Sequence, residues 1–366
     1  MCLLLAGLQA SPIPITEEQK RINDRHRQLT DQNAVEYMRK LHSSMTDEDG
    51  ALLNLETNPT SVWCLLNKDL STTRPVTPNN EWTSTFVFSL PNDTPPGSRS
   101  DVMRAILRSY LQVTPVPGTP AARAAVNVTV FAKLSDREPF AAAQSTLEVG
   151  PSGWIELDVT EGLKRMWVST SSLAELTVTL AMVNGTVATI ALADSVSLAE
   201  GAGYAQFQPL LIIHLSDKKL RQKLIESTAE SNELTETRSK RTSDYYPEAC
   251  RIHNYTILFS DIGLSNILVP YSYNARKCTG LCSSPYFKGV DDVNNYAVMV
   301  NSAKAAYNAL RPAVAAALSD EYVPPPTAPC CVPTRYSSLT TLMQNLDGSV
   351  KVETLSDMQV LACGCR

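Results

Sequence analysis

The chain has 366 residues, enough for two or more domains that each bury a core, and its apolar share of 43% is that of ordinary folded protein. A net charge of -5 offers no basic surface for nucleic acid, so that class of partner is not expected. The nine cysteines are unevenly spread, with only Cys2 and Cys64 before Cys250.

Residues 1–10, MCLLLAGLQA, form a short apolar stretch ending in a small residue and lacking a basic start. They read as the back half of a truncated signal peptide, cleaved near Ala10. Four acceptor sequons, at Asn92, Asn127, Asn184 and Asn254, point to the secretory route, although Pro95 counts against the first. Residues 17 to about 45 read as helix, with Ile22, Leu29, Val35, Tyr37, Met38 and Leu41 set among charged residues. From about 62 to 215 the pattern becomes short apolar runs cut by Pro, Gly and Asn, which reads as strand. Within it, LTVTLAMVNGTVATIALA is broken at Asn184 and Gly185; it reads as two strands around a hairpin, not as a membrane span, so no membrane insertion is expected. Residues 11–215 are thus expected to be a β-rich unit with an N-terminal helix.

Residues 216–241 are charged and show no apolar face to offset ordering entropy, so they read as a linker. Their end, Arg238-Ser239-Lys240-Arg241, is the dibasic form cut by furin-like proprotein convertases, whose acidic cleft pairs each basic side chain with carboxylates. A solvated charge run is the blander reading; the composition shift at Thr242 favours a cut after Arg241.

Residues 242–366 hold the other seven cysteines. In an oxidising compartment these form a disulfide framework, and an odd number leaves one over, as a thiol or for a second chain. Zinc is a poor alternative, because the adjacent Cys330-Cys331 and the Cys363-x-Cys365 pair fit badly into one tetrahedral site. Between Cys282 and Cys330, Val293, Tyr296, Val300, Ala303, Tyr307 and Leu310 recur at helical steps; Asp291 and Asp292 suit the start of that helix and Pro312 should interrupt it. Asp347-Gly348 suits a tight hairpin. Nine Lys and Arg against ten Asp and Glu leave this segment without a basic tail.

The stretches YNARKCTGLC, CCVPT with LTTLM, and DMQVLACGCR resemble the transforming growth factor beta superfamily over nearly all of 250–366. Upstream, SGWIELDVTEGLKRMW resembles the prodomain signature of that superfamily, with Trp154, Asp158, Val159, Thr160 and Trp167 at its positions. Ile155, Leu157 and Val159 alternate onto one strand face there, and Thr160 can cap the helix carrying Leu163 and Trp167. QPLLIIHL is similar to the late prodomain strand, and NAVEYMRKLH to the early helix that lies against the growth factor.

The resemblance implies a mostly β fold: a β-rich prodomain, then a cystine-knot growth-factor domain of two antiparallel β-ribbons and one α-helix. It implies the pairs Cys278–Cys363 and Cys282–Cys365, closing an eight-residue ring, and a third, Cys250–Cys331, passing through it, with Gly280 leaving the lumen open. Cys330 would bond its counterpart in a second copy of the chain, giving a homodimer or a heterodimer. The implied activity is that of a secreted, extracellular ligand of type I and type II receptor serine/threonine kinases that activates Smad signalling. The knuckle for the type II receptor falls on Ala275, Val332, Pro333, Leu339 and Leu342, and the wrist for the type I receptor on Leu264, Ile267, Asn295 and Tyr296.

This sequence departs from the superfamily pattern in several places. No tryptophan lies after residue 241, the usual Asn-His-Ala of the wrist reads Asn295-Tyr296-Ala297, and the Cys282–Cys330 segment is longer than usual. Lack of an extra cysteine pair at the start of the mature segment places it on the bone morphogenetic protein and growth differentiation factor side. No Arg-Gly-Asp occurs, so integrin-driven release has no support. Cys64 is either a link to a carrier or second prodomain or a buried small apolar residue, and the second reading fits better. A secreted cystine-knot antagonist is the rival function, disfavoured by the convertase site and the GWIELDVT corner. An enzyme is not expected: His26, His42, His214 and His253 fall in unrelated contexts, no phosphate loop or hydrolase motif is present, and no cofactor or metal is implied.

Overall fold

A computed structural model describes residues 32–67, 81–91, 101–115, 124–133, 138–149, 152–167, 173–183, 188–192, 208–226, 247–283, 286–290, 292–314 and 328–366. The signal-peptide stretch, residues 17–31 of the expected early helix, Asn92, Asn184 and the Arg238–Arg241 site lie outside the described residues.

The front region begins with α1 (Gln32–Met45), followed by β1 (Ser61–Leu66), β2 (Glu81–Ser89), β3 (Asp101–Pro115), β4 (Ala124–Lys133), β5 (Phe140–Val149) and β6 (Gly153–Asp158). Then come α2 (Thr160–Trp167), β7 (Leu173–Met182), β8 (Ala188–Leu192) and β9 (Leu210–Ser216). One sheet has the order β2-β7-β4-β5, and it alternates cleanly: Val126, Val128, Val130 and Ala132 of β4 and Leu176, Val178 and Leu180 of β7 are buried. These face Leu107, Leu211, Ile213 and Leu215 of a second sheet, making a sandwich core. β9 is apolar on both faces because it is covered twice, Leu211 and Ile213 facing the sandwich and Leu210 and Ile212 facing the other way.

The expected hairpin around Asn184 does not form. β7 pairs with β2 and β4, whereas β8 pairs with β3 in the other sheet, so the connection crosses the sandwich. Both runs are apolar enough to be strands; only the need to fill both layers separates them. At the corner after β6, Asp158 Oδ1 accepts the Thr160 N–H, while the Thr160 hydroxyl accepts the Ala105 N–H at 2.9 Å. Asp158 therefore caps α2, and Thr160, the expected cap, ties the helix to β3. The hydroxyl and N–H of Thr160 outweigh burial and hold the Asp158 carboxyl below the usual range.

The expected linker is ordered at its start. Residues 218–226 are helical: Asp217 Oδ1 accepts the N–H groups of Lys219 and Leu220, Leu224 is 4% exposed, and Arg221 donates to the carbonyls of Glu56 and Asn58. One anchored leucine and an end cap suffice where an apolar stripe is missing.

The second region contains β10 (Arg251–His253), β11 (Thr256–Leu258), β12 (Ile267–Val269), β13 (Ser272–Asn274), β14 (Lys277–Thr279), β15 (Asp292–Val293), α3 (Asn295–Val314), β16 (Cys331–Gln344) and β17 (Val350–Cys365). The pairs β10–β14 and β11–β13 make the first ribbon and β16–β17 the second. The second ribbon turns at Asp347-Gly348: Gly348 has φ +83°, and Asp347 Oδ1 accepts from the Ser349 N–H. α3 starts three residues beyond the expected Asp291-Asp292, where Asn294 Oδ1 accepts the Ala297 N–H at 2.8 Å. It also runs past Pro312, which falls in the last turn and removes a single hydrogen bond there.

The two regions share one sheet, of order β12-β16-β17-β1-β9-β3-β6. β1 lies antiparallel to β17, with Val62 opposite Val352 and Trp63 opposite Lys351. α1 covers this seam: Ala34, Met38 and Met45 pack with Val62, Cys64, Leu210, Ile212, Leu342, Val350 and Val352. Cys64 is a wholly buried thiol in that cluster.

Candidate functional site

Three disulfides hold the second region: Cys250–Cys331, Cys278–Cys363 and Cys282–Cys365, with sequence separations of 81, 85 and 83. On the chain-entropy model each loop of this length restricts the unfolded chain by about 4–5 kcal/mol. Little else is available, since the cluster around them adds only Ala297 and Val360 as fully buried apolar residues. The sulfurs of Cys250, Cys282 and Cys365 lie within 4.8 Å of one another. Each is half of a disulfide, which removes the thiolate that a zinc ion would need.

Two glycines make this closeness possible. Gly280 has φ +133°, and a Cβ there would stand 2.3 Å from the Ala249 carbonyl oxygen, so the chain leading into Cys250 runs where a side chain would be. A Cβ on Gly364 would stand 2.5 Å from the Asp292 carbonyl oxygen, because β15 lies parallel against β17 with Asp292 opposite Gly364.

The five residues expected at the knuckle fall into two groups. Val332 and Pro333 are half-buried at the cystine end of β16, roughly 20–33 Å along the strand from Leu339 and Leu342 at ~3.3 Å per residue. Leu339 and Leu342, expected to be exposed, are 1% and 0% exposed, and Ala275 is also buried. Their cover comes from the front region. Leu342 joins the α1 cluster, and Gly50, at φ +79°, sits where a Cβ would be 2.8 Å from Leu339 Cδ1. Thr340 between them is bonded on both sides: its N–H donates to the Gly50 carbonyl at 2.7 Å, and its carbonyl accepts from His42 Nε2 at 3.0 Å. Gln359 Nε2 donates to the Asp49 carbonyl at 3.1 Å.

The four residues expected at the wrist stand on separate elements. Leu264 is exposed beside the first ribbon, and Ile267 is half-buried in β12 opposite Met343. Asn295 and Tyr296 are exposed at the start of α3. Ala297 packs with the cystines and Val300 is also buried, while Tyr296, Met299 and Ala303 stand bare on the outer face. Tyr296 at 64% and Met299 at 70% exposure are unusual for side chains of that size.

Residues 249–365 match the transforming growth factor beta like domain. Protein dbl-1 of Caenorhabditis elegans is 29% identical over 170 residues, covering 44% of this chain and 42% of that protein. Bone morphogenetic protein 4 of Mus musculus is 29% identical over 181 residues, covering 46% and 37%. Protein 60A of Drosophila melanogaster is 27% identical over 231 residues, covering 58% and 46%. Residues 249–365 are thus a domain of the transforming growth factor beta superfamily. Each match spans less than half the length of the relative concerned.

Within the superfamily domain, Cys330 is half-buried at the head of β16 and is itself held in a disulfide, separate from the three above. Of the described sequons, Asn127 is exposed on β4, where its Oδ1 accepts the Thr146 hydroxyl, and Asn254 is exposed beside the first ribbon and accepts from Asn274 Nδ2. Among the described residues, no helix is long and apolar enough to cross a membrane.

Sequence reasoning missed the groups that join the two regions. Lys351 of β17 lies 4.6 Å from the Trp63 ring centroid and 2.8 Å from Glu353 Oε2. Lys223, in the supposed linker, pairs with Asp357, a residue at φ +61° on β17. Within the front region, Arg108 of β3 lies between two aromatic rings, 4.5 Å from Tyr37 of α1 and 4.9 Å from Trp154 of β6. Single charged or aromatic residues on strands carry no signal of such distant partners.

Proposed function

We propose that the chain is the precursor of a secreted growth factor, cut after Arg241 by a proprotein convertase, whose mature dimer engages type I and type II receptor serine/threonine kinases and drives Smad phosphorylation. The observation that carries this is the burial of Leu339 and Leu342 by a segment that precedes the cut. An apolar patch of this kind on a ribbon that is bare without its cover is suited to binding. The same face can serve first the prodomain and then the type II receptor. β9 and the helix at 218–226 both belong to the cover, so the prodomain extends past 215 to at least 226 and the free connection is shorter than 216–241.

Dimerisation answers the exposed face of α3: Tyr296 and Met299 have no cover within the described residues, and a second copy supplies one. Cys330 is the cysteine that pairs with its counterpart in that second copy. The glycans of the secretory route attach at Asn127 and Asn254.

The test uses secreted wild type and Arg241→Ala, run on reducing and non-reducing gels and applied to receptor-bearing cells with phosphorylated Smad as the readout. Cleaved covalent dimers that signal, and an uncut variant that is at least roughly tenfold weaker, are expected. Wild-type product that signals nothing alone and lowers the signal of a co-applied ligand would make the chain an antagonist instead.

A further inference from the structure

We propose that Arg366 and Asp292 form a clasp that presents Cys330 and the start of α3 together, in the geometry that a second copy of the chain docks against. This rests on the dimer reading above and adds the residues that position its two contacts.

The main chain of Cys330 is paired in both directions with Arg366: the Cys330 N–H donates to the Arg366 carbonyl at 2.9 Å, and the Arg366 N–H donates to the Cys330 carbonyl at 3.1 Å. This extends the β16–β17 ladder one step beyond Cys331 opposite Cys365. The Arg366 side chain then reaches sideways, Nη2 standing 2.7 Å from Asp292 Oδ2. Asp292 is fixed from below, since β15 runs parallel to β17 with Asp292 opposite Gly364, a place that any side chain at 364 would obstruct. Two residues later Asn294 caps α3 through the Ala297 N–H. One ion pair thus spans the gap between the cysteine proposed to make the covalent bond and the helix whose bare face needs a partner.

As an isolated surface pair this contact would matter little, because both side chains are about 40% exposed (39% and 40%) and water screens them. Its effect is on orientation: the three knot disulfides hold Cys331, Cys363 and Cys365 without it, whereas β15, which leads into α3, is only two residues long. The guanidinium fork suits that task better than an ammonium, which bonds as a point charge.

The test measures the ratio of covalent dimer to monomer in full-length secreted protein by non-reducing electrophoresis, with the three knot disulfides mapped by mass spectrometry. Arg366→Ala and Asp292→Ala are each expected to lower the ratio about two- to fivefold with the knot intact, the span of an exposed ion pair. Arg366→Lys should fall between them and wild type, and the exchange Asp292→Arg with Arg366→Asp should restore most of the ratio. Unchanged ratios in the single variants, or losses that appear only with broken knot disulfides and are not restored by the exchange, overturn the clasp. A Cys330→Ser variant separates the two levels: if it still yields covalent dimers, the choice of Cys330 fails, and if it is monomeric while Arg366→Ala dimerises as wild type does, the clasp alone fails.

Discussion

Met38→Ala tests how tightly the front region grips the growth-factor ribbon. Met38 is fully buried in α1 and packs in the cluster that contains Leu342, Val350 and Val352 of the second ribbon. A helix of 14 residues is marginal in water by itself, so α1 persists through this packing and cannot readjust freely around a lost side chain. Truncating a buried methionine to alanine costs about 2–5 kcal/mol. If that loss falls on the seam, the hold on the ribbon weakens by roughly 30- to 4000-fold, at 1.4 kcal/mol per factor of ten. The assay is to cut the secreted precursor with a convertase in vitro and follow how long the two fragments co-elute on gel filtration, with Glu36→Ala, on the exposed face of the same helix, as the control. A retention half-life within about twofold of wild type would falsify the reasoning, because it would mean that α1 contributes nothing to the grip.

Gly280→Ala should block folding: the added Cβ meets the Ala249 backbone at 2.3 Å, in a φ region that alanine avoids, and secreted yield with a disulfide map reads the outcome. Arg108→Ala removes the cation held between Tyr37 and Trp154, and a loss of about 1–2 kcal/mol in the unfolding of the uncut precursor is expected from denaturant titration. Burial, then the nearby Arg104 charge, lowers the His214 pKa to about 4, and its Nε2 has no hydrogen-bond partner. The unfolded chain takes up this proton near the ordinary value of 6.5, so the stability due to neutral His214 is whole above that pH and declines between about 6.5 and 4, by at most about 3 kcal/mol. His214→Leu should flatten the fall in melting temperature over that window; an unchanged slope would locate the acid sensitivity elsewhere.

Much of the fold can be read locally. The alternation of Val126, Val128, Val130 and Ala132, the Asp347-Gly348 turn and the packing of Val35, Tyr37 and Met38 all depend on neighbours within a few residues, and the structure places them as strand, turn and helix. Gly280 was legible only through the resemblance, since the ring it implies must admit another chain and leaves no room for a side chain. What was hidden depends on partners far off in the sequence. Leu339 and Leu342 look alike whether they meet a receptor, a second copy or the region upstream; alternation shows that a face needs cover, never what supplies it. The seam between β1 and β17 is decided by shape and register across the whole chain, and Lys351 under Trp63 or Asp292 beside Arg366 acquire their roles only once that register exists. The same point bears on the mode of action. A cover held by a four-residue strand pairing, α1 and the helix at 218–226, flanked by half-exposed ion pairs such as Lys223–Asp357, is tight enough to bury Leu342 completely. The strand pairing involves only Val350–Glu353 of β17, away from the three disulfides at Cys331, Cys363 and Cys365.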